Sequence, residues 1–241
     1  MPRIIVGVAT LPSRWKFFST KVLPNLREMA DEVWVYTDNH ESPDLVRYFK
    51  LGTSLEPCPP ISLGDAGKFL GAERCAKLFP DHYYFSCDDD LIYPLGYVAR
   101  MIEWIEYLNK KAVVSLHGSS FSSPLMRRVL FPGTGTLAYH SSLLRVNVAE
   151  HFLARNMADI WMGKLLQEQK APAVVIPHAG TYLTYDNSLP LEDTIWGQEV
   201  KRDFLQTAIV NQLSLDPGLQ LFPLQITQPS EPQALSPAPQ E

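Results

Sequence analysis

The sequence predicts a single α/β domain, and three observations carry that prediction. The chain opens with a strand–helix–strand pattern: IIVGVA over 4–9, apolar positions at helical spacing over 15–30, and VWVYT over 33–37. Strand-length apolar runs then alternate with helical stretches, the order that builds a largely parallel sheet covered by helices. Finally, 46% of the 241 residues are hydrophobic, enough to bury one substantial core.

Each element has a local signature. Residues 4–9 form an unbroken apolar run, as a buried strand requires. The run is too short to cross a membrane and lacks a signal-peptide cleavage pattern. Pro12 breaks the turn from Thr10 to Arg14. Trp15, Phe18, Val22, Leu26 and Met29 then mark one face of a helix over 15–30, and strand 33–37 ends at the polar turn Asp38-Asn39-His40. Residues 41–63 are mixed, with Pro43, Pro57, Pro59 and Pro60 marking loops. The glycine-bearing junction Gly64 to Phe69 leads into a helix near 67–78. Next come a strand over 83–87, a helix over 95–109 and a strand over 112–116 that ends at His117-Gly118. Residues 119–132, with Arg127 and Arg128, show little periodicity and read as a mobile loop or lid that can clamp a diphosphate. The turn Gly133-Thr134-Gly135-Thr136 precedes another strand, followed by a helix over 159–168 and a strand over 173–177. The domain is assigned to residues 1–215. The proline- and glutamine-rich stretch 216–241 is expected to be a flexible tail.

Composition narrows the function classes. The net charge is -5, so no broad basic field exists to hold a nucleic acid backbone. Three cysteines, Cys58, Cys75 and Cys87, form no C-x-x-C pair. A disulfide framework or structural zinc site is not expected, and a reducing cytoplasm fits best.

The sharpest local signal is YYFSCDDDLIYP, residues 83–94, in which an apolar strand delivers Asp88, Asp89 and Asp90 in succession. Side chains alternate along an extended segment, so Asp88 and Asp90 can share one side while Asp89 points away. Carboxylate oxygens suit hard divalent ions such as Mg²⁺ or Mn²⁺, which bridge diphosphate oxygens. Open α/β sheets also bind their ligands beyond the carboxyl ends of the strands. Taken alone, the triplet can equally be a capped, solvated turn, because Asp favours helix N-caps.

With Asp65-x-Gly67-Lys68-Phe69, Asp88 to Pro94, Tyr97-Val98, His117-Gly118, Gly133 to Thr136 and Asp159-Ile160-Trp161 in order, the chain resembles glycosyltransferases of the GT-A fold. Within that group it is similar to the small enzymes of bacterial capsule and lipopolysaccharide synthesis, notably the α-N-acetylglucosaminyltransferase of heparosan-type capsules. The matching pieces span most of residues 4–197. The resemblance implies a Rossmann-like mixed sheet flanked by helices, a UDP-sugar donor with N-acetylglucosamine as the leading sugar, and a saccharide or glycolipid acceptor. It also implies Mn²⁺ or Mg²⁺, and a cytoplasmic setting, at the inner membrane face or beside a polymerase partner.

Roles follow from the same resemblance. Thr10, Ser13 and Arg14 occupy the nucleotide-binding turn. Asp65 and Lys68 contact the uracil, ribose or diphosphate. Asp88 reaches the ribose or metal, Asp89 belongs to the donor side and Asp90 ligates the metal. His117, Gly118, Gly133, Thr134 and Gly135 shape the acceptor and sugar side, where Trp161 can stack on a ring, although Trp161 and Trp196 also suit simple packing. Asp159 stands where many members place a carboxylate near the acceptor hydroxyl; its alternative is a helix N-cap. His178 stands where many such enzymes keep a late histidine as a further metal ligand. The competing readings are a sugar nucleotidyltransferase, which normally opens with a glycine-rich loop absent from Thr10 to Arg14, and a non-catalytic nucleotide-sugar-binding module.

Overall fold

The computed structural model describes residues 2–39, 42–118 and 127–185. Among these residues nine strands form one mixed sheet: β1 (Arg3–Thr10), β2 (Glu32–Thr37), β3 (Asp44–Phe49), β4 (Gly52–Glu56), β5 (His82–Asp88), β7 (Val113–Ser115), β8 (Arg127–Val129), β9 (Thr136–His140) and β10 (Ala173–Val175). Their spatial order is β4-β3-β2-β1-β5-β9-β7-β10-β8. A separate two-stranded ribbon joins β6 (Leu91–Ile92) to β11 (Thr184–Tyr185). The central strands β1, β2 and β5 run parallel, and β9 is inserted antiparallel beside β5.

Helices cover both faces of the sheet. They are α1 (Trp15–Phe17), α2 (Leu23–Met29), α3 (Leu70–Leu78), α4 (Tyr97–Tyr107), α5 (Val148–His151) and α6 (Ala158–Glu168). The strand period of two divides the core into layers. Ile5 and Tyr84 face a cluster with Phe69, Leu70, Trp161 and Leu165, whereas Val6 and Phe85 face one with Phe18, Leu26, Met101 and Ile105. Both faces are covered, so β1 reads in the sequence as one apolar run rather than an alternation. Among the described residues no helix is long and apolar enough to cross a membrane.

Three segments are sharpened or corrected. The mixed stretch 41–63 holds a hairpin: β3 and β4 extend the sheet antiparallel to β2, with Leu45 opposite Tyr36. The prolines bracket it, Pro43 just before β3 and Pro57 just after β4, where a missing N–H breaks no ladder bond. Within 119–132, Arg127–Val129 is an edge strand paired with β10 rather than a lid, while residues 119–126 lie outside the described residues, as do Trp196 and the tail 216–241. The first helical run starts at Pro12 and is not uniform. A π segment, Phe18–Val22, lets the Leu23 N–H reach back to the Phe18 carbonyl, and the next residue, Pro24, has no N–H to donate.

One buried charge ties the sheet together away from the aspartates. Glu32, at the start of β2, has a fully buried side chain. Its oxygens accept from Arg47 Nε at 2.9 Å and Arg47 Nη2 at 2.6 Å, from Arg3 at 3.2 Å and from Trp34 Nε1 at 3.2 Å. The fork-to-fork pair crosses from β2 to β3, so it locks the register of the hairpin.

Candidate functional site

The functional side chains collect at the C-terminal ends of β1, β2 and β5, where the turns leave the sheet. β5 ends at Asp88, and Asp89-Asp90 form a turn before β6. The alternation expected for an extended triplet therefore stops at its first member, and the turn itself sets the other two directions.

Asp89 points inward and is 3% exposed. It accepts from Thr10 Oγ1 at 2.7 Å and pairs with Arg14 at 2.9 Å. Arg14 also holds Asp90 at 2.7 Å. Thr10 and Arg14 thus fasten the aspartate turn to β1 instead of offering their polar atoms outward, while Ser13 beside them is exposed. Burial pushes the Asp89 carboxyl up to about 7, with Arg14 opposing and Asp90 adding to the rise. Asp90 is likewise raised, by burial and then by Asp88, which places those two like charges in each other's field.

Asp88 stands between protein and solvent. Its side chain is 40% exposed, and Oδ1 accepts from the buried Lys68 ammonium at 2.6 Å. Burial raises its carboxyl, but Lys68, Arg14 and His117 outweigh that and hold it below the usual carboxylate range. Its backbone N–H donates to Tyr93 Oη at 2.8 Å, and that hydroxyl donates to the Gly135 carbonyl at 2.6 Å. Asp88 Oδ2 lies so close to the Gly135 Cα that a Cβ there would overlap it. Gly135→Ala is therefore expected to drive Asp88 off its position, costing about 1–3 kcal/mol of stability. Thermal melts of the two proteins check this; an unchanged melting temperature means that Asp88 does not need the space.

The turn Gly133 to Gly135 is held from four sides. Ser86 Oγ donates to the Thr134 carbonyl at 2.5 Å, and Ser115 Oγ to the Gly133 carbonyl at 3.0 Å. The Gly133 N–H donates to the His117 carbonyl at 3.0 Å. Asp159 Oδ1 accepts both the Thr134 N–H at 2.7 Å and its hydroxyl at 2.5 Å. Asp159 is thus not the N-cap of α6. It belongs to the first turn of the helix, is open to solvent, and grips the glycine turn. Protein packed around its base raises its carboxyl, against the pull of Thr134 and Lys68.

The backbone donor at the α6 N-terminus goes instead to Asp65, whose Oδ2 accepts from Ala158 N at 3.2 Å; its Oδ1 is buried without a hydrogen-bond partner. Burial pushes Asp65 above its ordinary 3.8 to about 6, with Lys68 opposing and Asp159 adding to the rise. A carboxyl raised in the folded state favours folding when protonated. Its contribution is fully present below its ordinary pKa and is lost as pH rises through about 6. Between about pH 4 and 6, Asp65→Asn is accordingly expected to flatten the decline of the melting temperature relative to wild type, since Asn keeps the acceptor for Ala158. Parallel pH profiles of the two proteins would exclude a buried, titrating Asp65.

The remaining predicted residues divide. His117 lies beside the aspartates: Tyr185 Oη is 3.2 Å from its Nε2, the two rings stack at 6.2 Å, and the His178 ring lies 6.5 Å away. Burial lowers the His117 pKa, with Asp88 opposing and His178 adding to the fall. His178 Nδ1 sits 2.9 Å from the Ile176 carbonyl, so in the neutral ring Nδ1 carries the proton and Nε2 the lone pair. Gly118 packs under Val129 and Val175 and serves the sheet edge. Trp161 is corrected: it is 7% exposed, inside the core beneath α6, and presents no ring face to a sugar. Among the described residues no group of three or more His, Cys, Asp or Glu side chains stands ready to hold a metal.

The sequence reading missed three participants. Asp38, at the end of β2, is 3% exposed and accepts from Tyr36 at 2.9 Å, Ser62 at 3.0 Å and Arg155 at 3.0 Å. The strand-end rule that selected Asp88 applies equally to Asp38 and would have found it. Tyr93 and Tyr185 carry no such signal. Tyr185 reaches the site because β11 pairs with β6, the strand directly after Asp90, and Asp88 and Asp90 join burial in raising its phenol.

No family model matches this sequence, and no curated protein matches it.

Proposed function

We propose that this chain is a metal-dependent glycosyltransferase of the GT-A type, moving a sugar from a UDP-sugar, with N-acetylglucosamine as the leading donor, to a saccharide or glycolipid acceptor. The observation that carries this reading is the pair Asp88 and Asp90 at the end of central strand β5, within each other's field, with side chains 40% and 27% exposed. Around them the carboxylates of Asp65, Asp88, Asp89, Asp90 and Asp159 outnumber the cations of Arg14 and Lys68. That unbalanced negative charge favours uptake of a cation, and its all-oxygen donors suit Mn²⁺ or Mg²⁺. The mixed sheet with its antiparallel strand beside β5, and the ordered motifs from Asp65 to Trp161, agree with the GT-A resemblance.

In this reading Asp88 and Asp90 would hold the cation, which when bound neutralises charge developing on the departing diphosphate. The chain's own residues provide the order around it. Arg14 and Thr10 keep the aspartate turn from splaying, and Tyr93 sets Asp88 against Gly135. Asp159 keeps Thr134 in place and presents a carboxylate to solvent, where an acceptor hydroxyl can be oriented or deprotonated. The setting is the cytoplasm or the cytoplasmic face of the inner membrane, beside the machinery that extends the polysaccharide.

A thermal-shift screen of nucleotide-sugars with and without Mn²⁺ tests the proposal, because a ligand bound only by the native state raises its melting temperature. A rise with UDP-N-acetylglucosamine that needs Mn²⁺ is expected. No response to any nucleoside diphosphate would refute it, and pyrophosphate release from a nucleoside triphosphate and a sugar phosphate would move the protein to the nucleotidyltransferases.

A further inference from the structure

Lys68 is better placed to move than a purely structural lysine. Its side chain is 3% exposed, yet its partner Asp88 is 40% exposed, so one carboxylate meets a buried ammonium on one side and solvent on the other. The ammonium lies 2.6 Å from Asp88 Oδ1 and 3.4 Å from Thr134 Oγ1. A second carboxylate stands close by. Asp65 and Lys68 both belong to the 3-10 turn Gly64–Phe69, three residues apart, the spacing at which side chains on such a turn eclipse. Asp65 Oδ1 is buried with no hydrogen-bond partner, and Lys68 acts on Asp65 more strongly than any other charge. The ammonium therefore has one carboxylate that it occupies and another, on its own turn, that is short of a donor.

We infer that Lys68 is an internal counter-ion that competes with the divalent cation: it sits on Asp88 in the cation-free protein and shifts to Asp65 when the cation takes Asp88. The inference rests on the cation site proposed above. Coulombic repulsion supplies the reason, because an ammonium and a divalent cation on one carboxylate repel at short range in a poorly solvated corner. Lys68 thus keeps an over-charged acidic cluster stable without metal and sets the threshold for loading it. Asp65 is a positioning residue in this scheme, acting through Lys68 and not on substrate.

Mn²⁺ binding to the full chain, followed by electron paramagnetic resonance and calorimetry, tests this without relying on turnover. Lys68→Gln removes the competitor and is expected to bind Mn²⁺ roughly tenfold more tightly, the size of effect that one close charge exerts. Asp65→Asn removes the alternative seat and is expected to bind roughly tenfold more weakly. A merely structural role would weaken binding in both variants. Unchanged or weaker binding by Lys68→Gln overturns the exchange while leaving the cation site standing, whereas no Mn²⁺ uptake by wild type or either variant overturns both. A crystal of the wild-type protein soaked in Mn²⁺ gives a reading independent of variant folding. The Lys68 ammonium should have left Asp88; an occupied cation with Lys68 still on Asp88 Oδ1 overturns the inference.

Discussion

On the proposed glycosyltransferase function, Asp90→Asn should cost about 10²–10³-fold in Mn²⁺-supported turnover, the loss expected when one charge-stabilising group is removed at the developing charge. The variant keeps the shape and an oxygen acceptor but loses the negative charge. Three features predict that the fold survives. The side chain is 27% exposed, Arg14 retains its pair with Asp89 at 2.9 Å, and neutralising Asp90 relieves its repulsion with Asp88. The cation-free variant should therefore melt no earlier than wild type, while the Mn²⁺-dependent stabilisation by UDP disappears. Loss of turnover accompanied by a lower melting temperature would point to collapse of the turn instead. Wild-type turnover would dispose of the role given to Asp90 altogether.

The second large effect is on stability and lies at the other end of β2. Glu32→Ala is expected to destabilise the protein by about 3–5 kcal/mol, as breaking one half of a buried pair does. The fully buried carboxylate accepts from two arginines and an indole. Its removal leaves Arg47, 23% exposed, and Trp34 Nε1 without their acceptor, and leaves a cavity between β2 and β3. For a domain of this size the melting temperature should fall by roughly 10 °C. Urea denaturation and thermal melts measure both quantities; a loss near 1 kcal/mol would mean that water reaches Arg47 and repairs the gap. The two predictions are separable, since Glu32 supports the sheet at the ends of the strands away from the aspartate turn.

What the sequence determined by itself was the sheet and the carboxylates at its end. Apolar periodicity registers burial directly, so β1, β2, β5 and the helices over 70–78, 97–107 and 158–168 were legible from local pattern alone. The triplet Asp88 to Asp90 stood out because three carboxylates in succession follow a buried strand, a pattern that a capped turn explains equally well. Tertiary structure decided which carboxylate does what. Asp89 turns inward because Thr10 and Arg14, some eighty positions earlier, meet it across the β1–β5 register. Asp159 grips Thr134 instead of capping its own helix, and Asp65 takes the place of that cap. Tyr185 joins the site only through its pairing with β6. The hairpin β3–β4 was hidden for a related reason: prolines read locally as loop signals, and only the exposed edge of β2 gave the segment between them a strand to pair with. Periodicity is a property of neighbours in the chain. The direction and ionisation of a side chain depend on neighbours in space, which a single sequence does not encode position by position.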